Sequence, residues 1–168
     1  MIATQRQREI HEGPFARAYI PALTTTDTYQ NLLTTILDVL PEFVALTDRQ
    51  GKLLYLNPAA RKMVGIREEE DISCRAVYLL LPESTRVRIA NEGMPQALRK
   101  GKWSGEVRIT GNNNEEIPAW MTLMVHKNFS GAVECFSLIA HDIRQQKQAD
   151  EEKHRMKEEM KWLGFIPL

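Results

Sequence analysis

Net charge is the first thing this sequence lacks: 22 Lys and Arg balance 22 Asp and Glu, for a formal charge of zero. Without a basic excess there is no electrostatic footprint for nucleic acid. Long apolar runs are missing too, so no segment is expected to span a bilayer. Residues 1–12 carry Arg6, Arg8, Glu9 and Glu12 around no apolar core, which argues against a secretory leader. Cysteine is scarce. Cys74 and Cys135 stand far apart, and without a secretory signal they are expected to be free thiols in a reducing compartment. The cytoplasm is therefore the expected location. Catalytic signatures are also absent: no Walker loop, no Gly-x-Ser-x-Gly and no His-Glu-x-x-His occurs. Glu68-Glu69-Glu70-Asp71 reads as a solvated turn rather than a metal site. His154 lies in Glu-Glu-Lys-His-Arg-Met, which is not a kinase phospho-acceptor box of the His-Glu-Leu-Arg-Thr-Pro kind. Neither an enzyme nor a metal site is expected.

What is present suits one domain with extensions. Residues 1–26 are weakly patterned and broken by Gly13-Pro14 and Pro21, so they are expected to form a loose arm, with Phe15, Tyr19 and Ile20 as its apolar members. Residues 27–41 form the next piece. Asp27 and Gln30 are spaced as in a capping box, and Leu32, Leu33, Ile36, Leu37 and Leu40 follow at helical spacing. This predicts an amphipathic helix over Thr28–Leu40, stopped by Pro41. So short a helix cannot bury its stripe alone and needs a sheet or a second copy to cover it.

Residues 42–143 read as the main domain. Phe43–Thr47 and Lys52–Leu56 are strands joined at Asp48-Arg49-Gln50-Gly51, a hairpin. Asn57-Pro58 opens a short helix ending near Gly65. An acidic helical turn over Arg67–Asp71 and a short helix over Ala76–Leu81 follow. Ser84 or Thr85 is expected to cap a longer helix over Arg86–Lys100, which Gly93 and Pro95 weaken. Trp103–Thr110, Ile117–Lys127 and Ala132–Ile143 alternate as strands, separated by turns at Gly111-Asn112-Asn113-Asn114 and Asn128–Gly131. Five antiparallel strands with helices gathered on one face make an α+β fold, and the concave face would enclose a core or a cavity. Residues 144–168 turn helical and highly charged. Ala149, Met156 and Leu163 recur every seven residues, with Met160 as a further seam position. That is a thin heptad seam, and Gly164 is placed to end the helix. The tail Phe165-Ile166-Pro167-Leu168 reads as a cut edge or a docking point, as in the amino-terminal part of a longer signalling protein.

The segment from about Pro41 to Lys147 resembles a PAS domain, the sensory module of bacterial kinases, cyclases and regulators. The features that carry the resemblance are Phe43-Val44-Ala45-Leu46-Thr47-Asp48, Gly51, Leu56-Asn57-Pro58-Ala59-Ala60, Gly65, Leu80-Leu81-Pro82-Glu83, Gly101-Lys102-Trp103-Ser104-Gly105-Glu106, Ile117-Pro118, Gly131 and His141-Asp142-Ile143. Arg144 stands where the family usually has Thr. The resemblance implies a five-stranded antiparallel PAS sheet over a ligand cavity, an N-terminal cap helix and a C-terminal signalling helix. It implies a signal junction at His141, Asp142 and Ile143, leading to an output kinase or other signalling domain, as in two-component signal transduction.

Strand parity with the family register turns Ala119, Met121 and Leu123 inward, with Glu134, Phe136, Leu138 and Ala140 on the last strand. Tyr78 and Leu81 are added to that set as pocket candidates. An interior of this kind suits a small apolar or aromatic ligand better than an anion; a filled core with no ligand is the alternative. Trp120, Met124 and Ile139 then face outward, an apolar patch that needs covering. With Leu33, Ile36, Leu37 and Leu40 they are the candidate interface of a homodimer. A ligand-free interaction module built on that interface is the alternative function.

Heme would need an axial ligand, and Leu79–Lys100 contains no histidine. His11, His126, His141 and His154 read as solvated or structural. Ser73-Cys74-Arg75 invites comparison with the Asn-Cys-Arg of light-sensing LOV domains. Register with the following Leu-Leu-Pro, however, puts Cys74 three positions ahead of the photoactive cysteine, where the family usually has Gly. Ala119 and Ala140 also occupy the places of the flavin-binding amides. Heme and LOV-type flavin are therefore not expected, and Cys74 is expected to be a small buried residue.

Overall fold

The computed structural model describes residues 26–167. They fall into two compact units, one ending at Thr34 and one starting at Thr35; the first contributes only the opening turns of a helix. That helix, α1, spans Thr26–Val39, close to the expected Thr28–Leu40. The arm before it and the Asp27 side chain of the expected capping box lie outside the described residues.

The second unit holds a five-stranded antiparallel sheet. β1 is Phe43–Thr47, β2 is Leu53–Leu56, β3 is Lys102–Thr110, β4 is Glu116–Lys127 and β5 is Val133–Asp142. Their order across the sheet is β2-β1-β5-β4-β3. The last strand is thus inserted at the centre, between the first and the fourth, and touches both halves of the domain.

Alternation does what the sequence implied. On β3, Trp103, Gly105, Val107 and Ile109 are buried while Lys102, Ser104, Glu106 and Arg108 are exposed. The registers stack the buried side chains in rows. Phe43 pairs with Ala140 and Ala140 with Met121; Ala45 pairs with Leu138 and Leu138 with Leu123. These rows form the inner face and the core beneath the helices.

Helix α2 (Pro58–Val64) begins as its sequence dictates. The Asn57 side-chain oxygen accepts from the Ala60 N–H at 3.0 Å and from the Val44 N–H at 3.1 Å. Its amide nitrogen donates to the carbonyls of Glu42, Leu40 and Leu37 at 2.9–3.3 Å. One fully buried side chain therefore ties the end of α1 to β1 and α2. Gly65 ends α2 at φ +73, against which Asn112 is packed so closely that a Cβ would lie 1.9 Å from its Oδ1. Only glycine satisfies both the backbone angle and the contact.

Three expectations for the middle of the chain need correction. Arg67–Asp71 is a non-helical turn: the Arg61 guanidinium donates to the Arg67 and Glu70 carbonyls, and Arg75 pairs with Glu70. Only Val77–Leu80 is helical in the next segment, as a 3-10 turn. The long helix starts earlier than Arg86, because Pro82 is its N-cap and α3 runs Glu83–Arg88. Thr85 caps nothing; its hydroxyl bridges the N–H and C=O of Arg108 on β3, each at 2.9 Å. A π-helical turn, Ile89–Gly93, then leads into α4, Met94–Lys100. The Met94 N–H reaches back five residues to the Ile89 carbonyl, a widening set just before Pro95, whose missing N–H breaks the regular ladder. Gly93 is buried against Trp103, where a Cβ would lie 3.1 Å from the indole.

After β5 the chain enters α5, Arg144–Trp162. Gly164 follows at φ +76, as expected of a helix stop. Ala149, Met156, Met160 and Leu163 are all exposed along it.

Candidate functional site

The inner face is not filled along its whole length. A cavity of about 440 Å³ lies at one end of the sheet, within the size range of small-molecule sites. Its buried floor is Leu81, Leu123, Phe136 and Leu138, and its half-buried wall is Val77, Ile89 and Met94. The exposed members of the lining, Arg49, Gln50, Tyr78, Arg86 and Ala90, mark the mouth. Each element supplies its share for a local reason. β4 and β5 turn alternate residues inward, the β1–β2 turn swings Arg49 and Gln50 across the opening, and the π turn displaces Ile89 and Ala90 against it.

Of the eight pocket candidates, Tyr78, Leu81, Leu123, Phe136 and Leu138 line this cavity. Ala119, Met121 and Ala140 lie on the same face but are fully buried in the packed core beside it. Arg49, Gln50, Arg86, Ile89, Ala90 and Met94, which line the cavity from turns and a helix, were not among the candidates. Thr47 was legible, being in phase with Phe43 and Ala45. Among the described residues the lining contains neither histidine nor cysteine. Among the described residues no group of three or more His, Cys, Asp or Glu side chains is placed to hold a metal ion. Cys74 corrects the expectation of a buried residue: it is exposed in a turn. Cys135 is half-buried, and burial, then the neighbouring Glu134, pushes its thiol up.

The three junction residues have three different environments. His141 is exposed. Asp142 accepts the Arg144 backbone N–H at 2.9 Å and pairs with the Arg144 guanidinium at 2.6 Å. Burial alone would raise the Asp142 carboxyl, but those bonds and the guanidinium charge outweigh it and hold the group below the usual carboxylate range. Ile143 is buried, and its N–H donates to the Pro118 carbonyl at 3.1 Å. One turn into α5, Lys147 pairs with Glu106 of β3. The start of the exit helix is thus tied to β3, β4 and β5.

Glu106 also connects the junction to the cavity wall. Its backbone carbonyl accepts from Arg88, the residue just before the π turn. The Arg88 guanidinium lies 5.6 Å from the centre of the Trp103 ring and pairs with Glu92 at 3.2 Å, and Glu92 accepts the indole N–H at 3.2 Å. The bond from Trp103, then that from Arg88, lowers the Glu92 carboxyl.

The outward set is only partly covered. Trp120 is 51% exposed, and Leu33 and Ile36 on α1 are 59% and 47% exposed. Leu37, Leu40, Met124 and Ile139 are half-buried. Among the described residues no helix is long and apolar enough to cross a membrane.

A family model described as the PAS fold matches residues 31–143. Solved structures agree with it. A PAS domain from Colwellia psychrerythraea superposes with a TM-score of 0.63 at 18% identity, covering 70% of this chain and 98% of that one. A PAS domain from a two-component sensor histidine kinase gives 0.57 at 11% identity, covering 70% and 99%. An RNA-binding light-oxygen-voltage receptor gives 0.63 at 18% identity, covering 89% of this chain and 41% of that one. No curated protein matches in sequence.

Proposed function

On the premise that this chain belongs to the PAS family, we propose that it is a cytoplasmic sensor and dimerisation module. It takes a small ligand into the cavity and passes the change through α5 to an output domain, as in two-component signalling. The family is a sensory one; the observation that carries the reading for this chain is the continuity of floor and exit. Phe136 and Leu138 form the cavity floor, and the same strand runs four residues on into Asp142 and α5. A ligand that favours one arrangement of that floor biases α5 only by binding it more tightly than the other. The contacts of Lys147 and Arg88 with Glu106 offer a second route, from the π turn to the same helix.

Native mass spectrometry of the purified protein tests the reading. A co-purifying small molecule supports it. Its absence, together with no shift of melting temperature across a metabolite library, would count against it.

The exposed Trp120 favours a second role, in which two copies associate through this apolar residue on the outer sheet face whether or not a ligand is bound. Analytical ultracentrifugation of Trp120→Glu separates the roles: a monomeric variant that still binds ligand assigns the surface to association and the cavity to sensing.

A further inference from the structure

We infer that the ligand is an amphipathic carboxylate, with an aromatic or aliphatic body on the cavity floor and its acid group held at the mouth by Arg49 and Arg86. This rests on the sensor reading above and narrows it to a chemical class.

Among the described residues the buried part of the lining is apolar apart from Thr47, whose hydroxyl donates to the Asp48 carbonyl at 3.1 Å. The charges at the rim are two guanidinium groups, with no Asp or Glu in the lining. Among the described residues Arg49 and Arg86 form no salt bridge, whereas Arg75, Arg88, Arg108 and Arg144 each have a carboxylate partner. The nearest carboxylate in sequence to Arg49 is committed elsewhere: Asp48 Oδ1 accepts the Gln50 and Lys52 backbone N–H groups at 2.8 and 2.9 Å. Asp48 lines a different recess, with Asp71 and Ser73. Two unneutralised cations beside a low-dielectric hollow attract an anion more strongly than they would on an open surface. A guanidinium matches the planar, two-oxygen geometry of a carboxylate. The floor of Leu81, Leu123, Phe136 and Leu138 offers no polar partner to a second charged group, so one acid at one end of an apolar body fits best. Strand parity alone suggested an uncharged ligand, because neither arginine lies on a strand.

Calorimetric titration with two matched pairs tests the class: indole-3-acetate against indole-3-acetamide, and octanoate against octanamide. At least one acid should bind about ten-fold or more tighter than its amide, the scale of one charge-assisted hydrogen bond. Arg49→Gln with Arg86→Gln should erase that preference by weakening acid binding about ten-fold or more; both positions are exposed, so the fold survives. Leu138→Trp, confirmed folded by circular dichroism, should abolish binding of both members of a pair. Amides that bind as tightly as acids, or acid binding that withstands the double arginine change, would overturn the charge assignment and leave the sensor reading in place. So would failure of all four probes while a small molecule without a carboxylate co-purifies. If all four fail and nothing co-purifies, both readings fall.

Discussion

The two ends of the sheet's inner face use the same alternating strands, yet one is packed solid and the other is hollow. At the packed end Phe43, Ala140 and Met121 are all fully buried in one row across β1, β5 and β4. The small Ala140 between the larger Phe43 and Met121 lets the row close. One row along, Ala45, Leu138 and Leu123 are equally buried by their neighbours, but Leu138 and Leu123 border the 440 Å³ cavity. Burial alone does not separate core from binding site. What separates them is the lining opposite: beside Leu138 and Leu123 the hollow is closed by Val77 and Tyr78 of the 3-10 turn and by Ile89 and Ala90 of the π turn.

The largest effect should come from Trp103, which shares a row with Leu123 yet belongs to the packed core and does not line the cavity. Trp103→Ala removes a side chain that is 2% exposed, wedged between Gly93 and Gly105. It should cost about 3–5 kcal/mol in urea denaturation; a loss under about 1 kcal/mol would show that this region collapses freely and is no tighter than the cavity. Asn57→Ala should come next, at about 3 kcal/mol, because it takes the side-chain acceptor from the buried Val44 and Ala60 N–H groups. The same denaturation curve reads it. A volume increase then sets the two ends directly against each other. Ala140→Leu should destabilise by about 1–3 kcal/mol through overpacking, whereas Leu138→Phe should change stability by less than about 1 kcal/mol, since the added atoms have room. Equal costs at the two sites would erase the distinction.

Much of the packed end could be read from the sequence. Alternation on three strands, Asn57-Pro58 at a helix start and Gly65 at its end are local signals, and each produced the element expected of it. The hollow end was less legible because its determinants are not local. Leu123, Phe136 and Leu138 were candidates by register, with Tyr78 and Leu81 added to them, but parity does not distinguish Leu123 from Met121, two residues away on the same face. The difference arises where Pro95 and Gly93 force a π turn rather than simply weakening a helix. Thr85 likewise reads as a cap until β3 is seen to lie beside it.

The signal junction should show only a modest effect on stability, and there stability and function should part. Asp142→Ala removes the acceptor of the Arg144 backbone N–H and its charged partner, a loss of about 1 kcal/mol on the scale of helix caps. Because the Asp142 carboxyl is held below its ordinary range in the folded chain, its contribution has a defined pH dependence. It is fully present above the ordinary carboxylate range and is lost as pH falls through the lower folded value. The difference in Tm between wild type and Asp142→Ala should therefore be constant near neutrality and shrink on acidification. Asp142→Asn should recover part of it, since an amide oxygen still accepts the Arg144 N–H. Fused to an output domain, Asp142→Ala should bind ligand as wild type does but no longer change output. If regulation is unaltered, strain from the hollow end must reach α5 through Glu106 and Lys147 instead, and Lys147→Ala becomes the variant that should uncouple it.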